Sequence, residues 1–220
     1  MNENINAVYF PILLNLTNYP CLVIGGGNVA LRKVTSLLNF HIKVTVISPK
    51  ICTALLELKR KRKIKVIQKV YSKEHLKNIK VVFCATDNPK INRLVRKDCT
   101  EKNILLNVAD MPELCDFILP AIVKRGDLTL SVSSQGSAPF YVKEIKNKLD
   151  HIFPAYYEEI IELAGNFRNL VLSKKKFKSQ KAKEKVFIKF FMIDWKKVLK
   201  NEGKKKANEY MQHILKDLEN

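Results

Sequence analysis

The chain has 220 residues, with 40 Lys and Arg against 21 Asp and Glu, a net charge of +19 and an apolar fraction of 46%. This is enough apolar material for one cored domain with an appendage, or for two small domains, and no run is long and apolar enough to cross a membrane. The start, Met1 to Phe10, lacks the basic head and apolar core of a signal peptide, so a cytoplasmic protein is expected. Cys21, Cys52, Cys84, Cys99 and Cys115 are scattered and odd in number, without C-x-x-C spacing, which predicts reduced, mostly buried thiols rather than disulfides or a zinc site. The positive excess is spread along the chain, +12 in residues 1–150 and +7 in 151–220, with concentrations at Lys59–Lys65 and Lys174–Lys206. Such a balance suits nucleic acid, a polyanionic small molecule or simple solubility. No RNP, zinc-finger or Arg-rich motif accompanies it, which argues against nucleic acid.

Val8 to Leu16 is a short apolar lead-in broken by Pro11. Cys21–Ile24 reads as a first strand, and Val29–Phe40 as a helix with Val29, Val34, Leu37 and Leu38 apolar and Arg32 and Lys33 basic. Lys43–Ile47 is a second strand, Ile51–Arg62 a helix, Ile64–Val70 an alternating strand and Lys73–Leu76 a helical turn. Val81–Ala85 is a fully apolar strand, Lys90–Lys102 a helix and Ile104–Val108 a strand. This β-α alternation predicts an α/β Rossmann-type doubly wound parallel sheet with right-handed crossovers. The pattern then changes. Phe117–Val123 and Leu128–Ser133 are strand-like runs around the turn Lys124-Arg125-Gly126-Asp127, and Pro139 begins a helix running to about His151. Beyond Pro154 only helical periodicity remains, in Ala155–Ser173, Lys183–Leu199 and Lys204–Leu218, with a charged connector at Lys174–Lys181. The expected divisions are a nucleotide-binding domain over 1–112, a small α+β segment over 113–150 and a basic helical C-terminal domain over 151–220.

Residues 20–33 carry the sharpest signal. Gly25, Gly27 and Ala30 stand at G-x-G-x-x-[G/A] spacing, after a strand and before a helix. Gly25 permits a tight turn, Gly27 lets a pyrophosphate approach bare backbone at a helix N-terminus, and Ala30 lets helix and strand pack closely. Ligands of open α/β sheets lie at the C-terminal strand ends, so four loops should converge there: Gly25-Gly26-Gly27-Asn28-Val29, Ser48-Pro49-Lys50, Ala85-Thr86-Asp87-Asn88 and Asn107-Val108-Ala109-Asp110. The second loop has Ser48 where an acidic residue usually holds the ribose 2′-OH, and Lys50 nearby would tolerate a 2′-phosphate, so these residues leave NAD and NADP both open. Asp87 and Asp110 are the candidate acid/base groups; Asp87 also suits a helix N-cap and Asp110 a turn. Ser133 and Ser134 have no histidine beside them and are better placed to bind anions than to act as nucleophiles. His41, His75 and His213 sit at surface-like positions, and His151 closes a helix.

The ordered blocks Tyr9-Phe10-Pro11, Gly25 to Lys33, Ala85 to Asn88, Asn107 to Asp110, Phe117 to Ile122 and Ser131 to Pro139 resemble the precorrin-2 dehydrogenase family, the N-terminal module of siroheme synthases. The likeness covers about residues 7 to 150; the helical tail matches only loosely. It implies NAD-dependent oxidation of precorrin-2 to sirohydrochlorin on the route to siroheme and, in some organisms, cobalamin. Some members of that family also insert Fe2+ or Co2+. The likeness further implies a homodimer built through Pro112–Asp150, a key carboxylate at Asp110 that is also a possible transient metal ligand, and Ser134 at the substrate end. A basic chain suits a tetrapyrrole with eight carboxylates, and Arg125, Lys124 and Lys143 are candidates to meet them. Two departures stand out: Gln135 replaces a glycine after the serine pair, and Phe40-His41 replaces the usual glycine after the first helix, where a left-handed cap would cost a non-glycine about 1 kcal/mol. The alternative reading is a non-catalytic dinucleotide-sensing or nucleic-acid-binding Rossmann protein, which would bind NAD without turnover and bind DNA in a salt-sensitive way.

Overall fold

A computed structural model of the chain describes residues 8–173 and 180–216. Residues 1–119 and 120–220 form two compact units. The start of the chain up to residue 7, most of the expected connector Lys174–Lys181 and the last residues of the expected Lys204–Leu218 helix lie outside the described residues.

In the first unit, β1 (Cys21–Ile24), β2 (Val44–Ile47), β3 (Lys65–Ile67), β4 (Val81–Cys84) and β5 (Leu105–Val108) form one parallel sheet in the order β3-β2-β1-β4-β5. The helices α1 (Asn28–Leu38), α2 (Thr53–Arg60) and α3 (Pro89–Glu101) connect its strands. All residues of β1 and β4 are buried, which is why they read as unbroken apolar runs. One face packs Leu22, Ile47, Val82 and Leu106 against Val95 and Cys99 of α3. The other packs Val23, Val46 and Phe83 against Ala30, Val34 and Leu37 of α1 and Leu55 of α2. Each such aliphatic side chain contributes roughly 1.5–3 kcal/mol on burial. The expected doubly wound sheet is therefore present, and the strand order reverses between β1 and β4, where such sheets bind ligands.

The second unit opens with the antiparallel hairpin β6 (Ala121–Arg125) and β7 (Leu128–Val132), followed by α4 (Pro139–Ile152). Four helices complete it: α5 (Tyr157–Ser173), α6 (Gln180–Phe191), α7 (Trp195–Asn201) and α8 (Gly203–Lys216). Their core is Leu163, Phe167, Val171, Val186, Phe190, Trp195, Met211 and Leu215. Phe190 stacks on Phe167 at 4.9 Å, and the Trp195 indole donates to its carbonyl at 2.8 Å.

Several expected boundaries shift for local reasons. The strand expected over Ile64–Val70 is only Lys65–Ile67, because the Lys69 N–H turns back to the Ile67 carbonyl. The run expected to start at Phe117 pairs only from Ala121, since the Phe117 carbonyl is taken by the Asn107 side chain and Pro120 has no N–H. Arg125 and Leu128 are paired residues, so the turn is the two-residue Gly126-Asp127. The single helix expected over Lys183–Leu199 is two, because Asp194 caps a new start by accepting from the Lys197 N–H at 3.0 Å.

Candidate functional site

The glycine elbow forms where two strands and two loops crowd together. Gly25 has φ +125°, and a Cβ there would stand 2.2 Å from the Ala85 carbonyl oxygen. A Cβ on Gly26 would stand 1.9 Å from the Lys50 carbonyl oxygen. Around Gly27, by contrast, a Cβ would meet nothing within 4 Å. Gly25 and Gly26 are thus glycines because protein backbone occupies the space, whereas Gly27 faces open space. Gly27 is also the N-cap of α1, with no side chain to accept from the first turn and no acidic residue within it. The orphan N–H groups and the positive end of the helix dipole therefore face outward together, the arrangement that binds phosphate. Gly27 and Asn28 are exposed, Val29 is half-buried, and Ala30 is fully buried against the sheet.

The other loops border this elbow. The Gly25 N–H donates to the Ile47 carbonyl at 2.9 Å and the Cys52 N–H to the Gly26 carbonyl at 2.8 Å, which fixes Ser48-Pro49-Lys50 beside the glycines. Ala85 donates its N–H to the Ile24 carbonyl at 2.7 Å, which fixes the loop after β4. In that loop the Asn88 side chain caps α3, accepting from Lys90 and Ile91. The helix-capping role suggested for Asp87 belongs to Asn88, because Pro89 occupies the first helical position and moves the cap one residue on. Asp87 is left exposed at the sheet end.

Asp110 follows β5 in a left-handed backbone conformation, φ +60°, with its side chain exposed. Aspartate tolerates that conformation better than most residues, yet a non-glycine held there at a sheet end is a recurring mark of functional loops. Buried Asn107 donates to the Phe117 carbonyl at 2.9 Å and receives the Lys33 ammonium at 3.2 Å. Burial lowers the Lys33 pKa, the Arg32 charge acts the same way, and the Asp110 carboxylate acts to raise it. Sequence periodicity shows Lys33 only as a basic position on a helix. Its neighbourhood of Asn107, Cys115 and Asp110 emerges only from the fold.

The first unit thus brings together Gly25 to Val29, Ser48 to Lys50, Ala85 to Asp87, Asn107 and Asp110 at one end of its sheet. In the second unit, Ser134 accepts from the Ala138 N–H at 2.9 Å at the start of α4, and Lys143 is exposed on that helix. Arg125 is engaged internally: its Nε donates to the Phe153 carbonyl at 2.6 Å and its Nη2 pairs with Asp150 at 3.0 Å, clamping the hairpin to the end of α4. Gln135 and Gly136 occupy a turn with φ +54° and +89°, so the glutamine sits where glycine is less strained. The five cysteines are free, and burial pushes the thiols of Cys84 and Cys99 up to about 12. Among the described residues no group of three His, Cys, Asp or Glu side chains could hold a metal ion, and no helix is long and apolar enough to cross a membrane.

A parallel sheet of this order with an open glycine elbow at its switch point defines a dinucleotide-binding protein of the Rossmann type. The family model described as "Putative NAD(P)-binding" matches residues 12–121, and the chain belongs to that family. It is 39% identical over 170 residues to the "Siroheme synthase" of Pseudoalteromonas translucida (strain TAC 125), covering 77% of this chain and 36% of that protein. It is likewise 39% identical over 166 residues to the "Siroheme synthase" of Ruthia magnifica, covering 76% and 35%. The chain thus spans about a third of the length of these relatives. A solved structure, "SirC, precorrin-2 dehydrogenase", has the same fold with a TM-score of 0.72 at 24% identity, covering 94% of this chain and 100% of its own.

Proposed function

We propose that the chain oxidises precorrin-2 to sirohydrochlorin with NAD+. The observation that carries this reading is the uncapped start of α1 behind Gly27, open where a Cβ would project, in a chain similar over three quarters of its length to siroheme synthases. The elbow fits a dinucleotide: its backbone N–H groups would hold the pyrophosphate, and Ser48 with Lys50 would border the adenosine ribose. When bound, the nicotinamide supplies the hydride acceptor, which removes two electrons and one hydrogen from the reduced macrocycle. Asp110 takes the accompanying proton on its carboxylate, at the sheet end that the elbow also borders. Thr86, Asp87 and Asn107 shape the floor of the cofactor site from the ends of β4 and β5.

In the second unit we assign Ser134 and Lys143 to the substrate's carboxylates, and we give Arg125 a supporting part because its guanidinium already serves Phe153 and Asp150. The β6-β7-α4 segment supports a homodimer: α4 buries none of its residues within this chain, and Phe140 and Tyr141 are exposed. Fe2+ or Co2+, if the protein goes on to chelation, would enter as a substrate with Asp110 as a transient ligand.

The test is anaerobic incubation with precorrin-2 and NAD+, followed by absorbance and repeated with Fe2+. The reading predicts one NADH per sirohydrochlorin formed, and a loss of about 100-fold or more in turnover for Asp110→Asn with NAD+ binding retained. A protein that binds NAD+ but leaves precorrin-2 unoxidised would contradict it.

A further inference from the structure

We propose that Lys33 is a positioning residue that latches the nucleotide-binding helix α1 to the loop carrying Asp110, through its hydrogen bond to Asn107. The inference rests on the dehydrogenase reading for its catalytic consequence, and on geometry alone for the latch itself.

The residue stands six positions after Gly27 on α1, and its side chain is half-buried. Its Nζ lies 3.2 Å from Asn107 Oδ1 and 6.0 Å from the centre of the Phe83 ring. An ammonium can only donate, so it fixes which way the buried Asn107 amide faces. The amide nitrogen is then committed to the Phe117 carbonyl at 2.9 Å, with Cys115 Sγ at 3.7 Å. Residues 108–117 are thereby closed at their base. The same return is held by the Val108 N–H on Cys115 Sγ at 3.1 Å, the Asp116 N–H on the Leu106 carbonyl at 2.8 Å, and the Asp116 carboxylate on the Leu106 N–H at 2.9 Å and Arg96 at 2.5 Å. Those contacts tie the loop to β5 and α3. Lys33 links α1, whose first turn is the phosphate cradle, to Asn107 of β5, and the Asn107 amide carries the link on to Phe117 at the loop's end.

A methionine would lie against Phe83 without desolvating a charge, so packing alone does not call for a lysine here. Burial already works against its charged form, as its lowered pKa shows. The gain is geometric. One side chain fixes the spacing between the helix that seats the dinucleotide and the carboxylate that receives the proton, a spacing to which rate is steeply sensitive.

The experiment uses the full chain and the variants Lys33→Met and Lys33→Arg. Lys33→Met is expected to keep NAD+ affinity within about twofold while kcat falls about tenfold to a hundredfold. Amide hydrogen exchange in residues 108–117 should quicken by about tenfold in that variant. Lys33→Arg, which keeps a charged donor for Asn107, should recover most of both losses. If Lys33→Met does not fold, near-native exchange and kcat in Lys33→Arg support the latch, and an unprotected loop in that variant overturns it. Unchanged exchange in a folded Lys33→Met overturns the proposal, as does a loss confined to NAD+ affinity. Should the wild-type chain leave precorrin-2 unoxidised, the dehydrogenase reading fails, and the exchange comparison alone decides the latch.

Discussion

The junctions β1–α1 and β4–α3 lie side by side in one sheet and are built from the same plan. Each is a buried four-residue apolar strand that turns into a helix packed back on the sheet. They differ in how the helix begins. Asn88 caps α3 with two hydrogen bonds, and Pro89 removes a donor that would need one. Gly27 gives α1 neither. One helix satisfies its own first turn; the other leaves its first N–H groups without a side-chain cap. The crowding around Gly25 shows that the two junctions are fitted together, since any side chain there would strike the Ala85 carbonyl. In the proposed function, binding at this sheet end comes from a cap withheld, beside a neighbour whose cap is complete.

That contrast can be broken from either side. The largest effect is expected for Gly27→Asp, which would make α1 resemble α3. The space around Gly27 admits the side chain, and its carboxylate would accept from the first turn. NAD+ affinity should fall by about 100-fold or more in calorimetry, because the carboxylate both blocks and repels pyrophosphate, while chemical denaturation should show stability unchanged or raised by up to about 1 kcal/mol. Next is Asn88→Ala, which removes the cap of α3. It should cost about 1 kcal/mol in denaturation and change NAD+ affinity by less than about twofold. The smallest effect is at the far end of α1. His41 has φ +56°, so His41→Gly should relieve strain and raise stability by about 0.5–1 kcal/mol without touching coenzyme binding.

Much of the first unit was legible in the sequence because its central strands β1 and β4 are buried on both faces. Cys21–Ile24 appears as an unbroken apolar run that ends where the glycines begin, and the fold ends it there. The left-handed residue after α1 was legible only through the family resemblance, which sets a glycine where Phe40-His41 stands, and His41 has φ +56°. Less was legible where one side chain decides a boundary. A helical period runs through Met192 to Asp194, yet the Asp194 side chain restarts the helix, a local competition that periodicity does not weigh. At the site, the spacing of Gly25, Gly27 and Ala30 located the elbow and gave each residue its own reason, but it did not show the crowding: a Cβ on Gly25 or Gly26 would strike the Ala85 or Lys50 carbonyl, whereas one on Gly27 would meet open space. Lys33 was hidden for a different reason. Its partner Asn107 is 74 residues away, and only the closing of β4 and β5 beside α1 brings the two into contact.

The most direct test of the account is a crystal structure of the chain with NAD+ bound. The account predicts pyrophosphate oxygens on the backbone N–H groups that follow Gly27, and a nicotinamide ring turned toward Asp110. A dinucleotide seated elsewhere, or a ring directed away from that carboxylate, would contradict it.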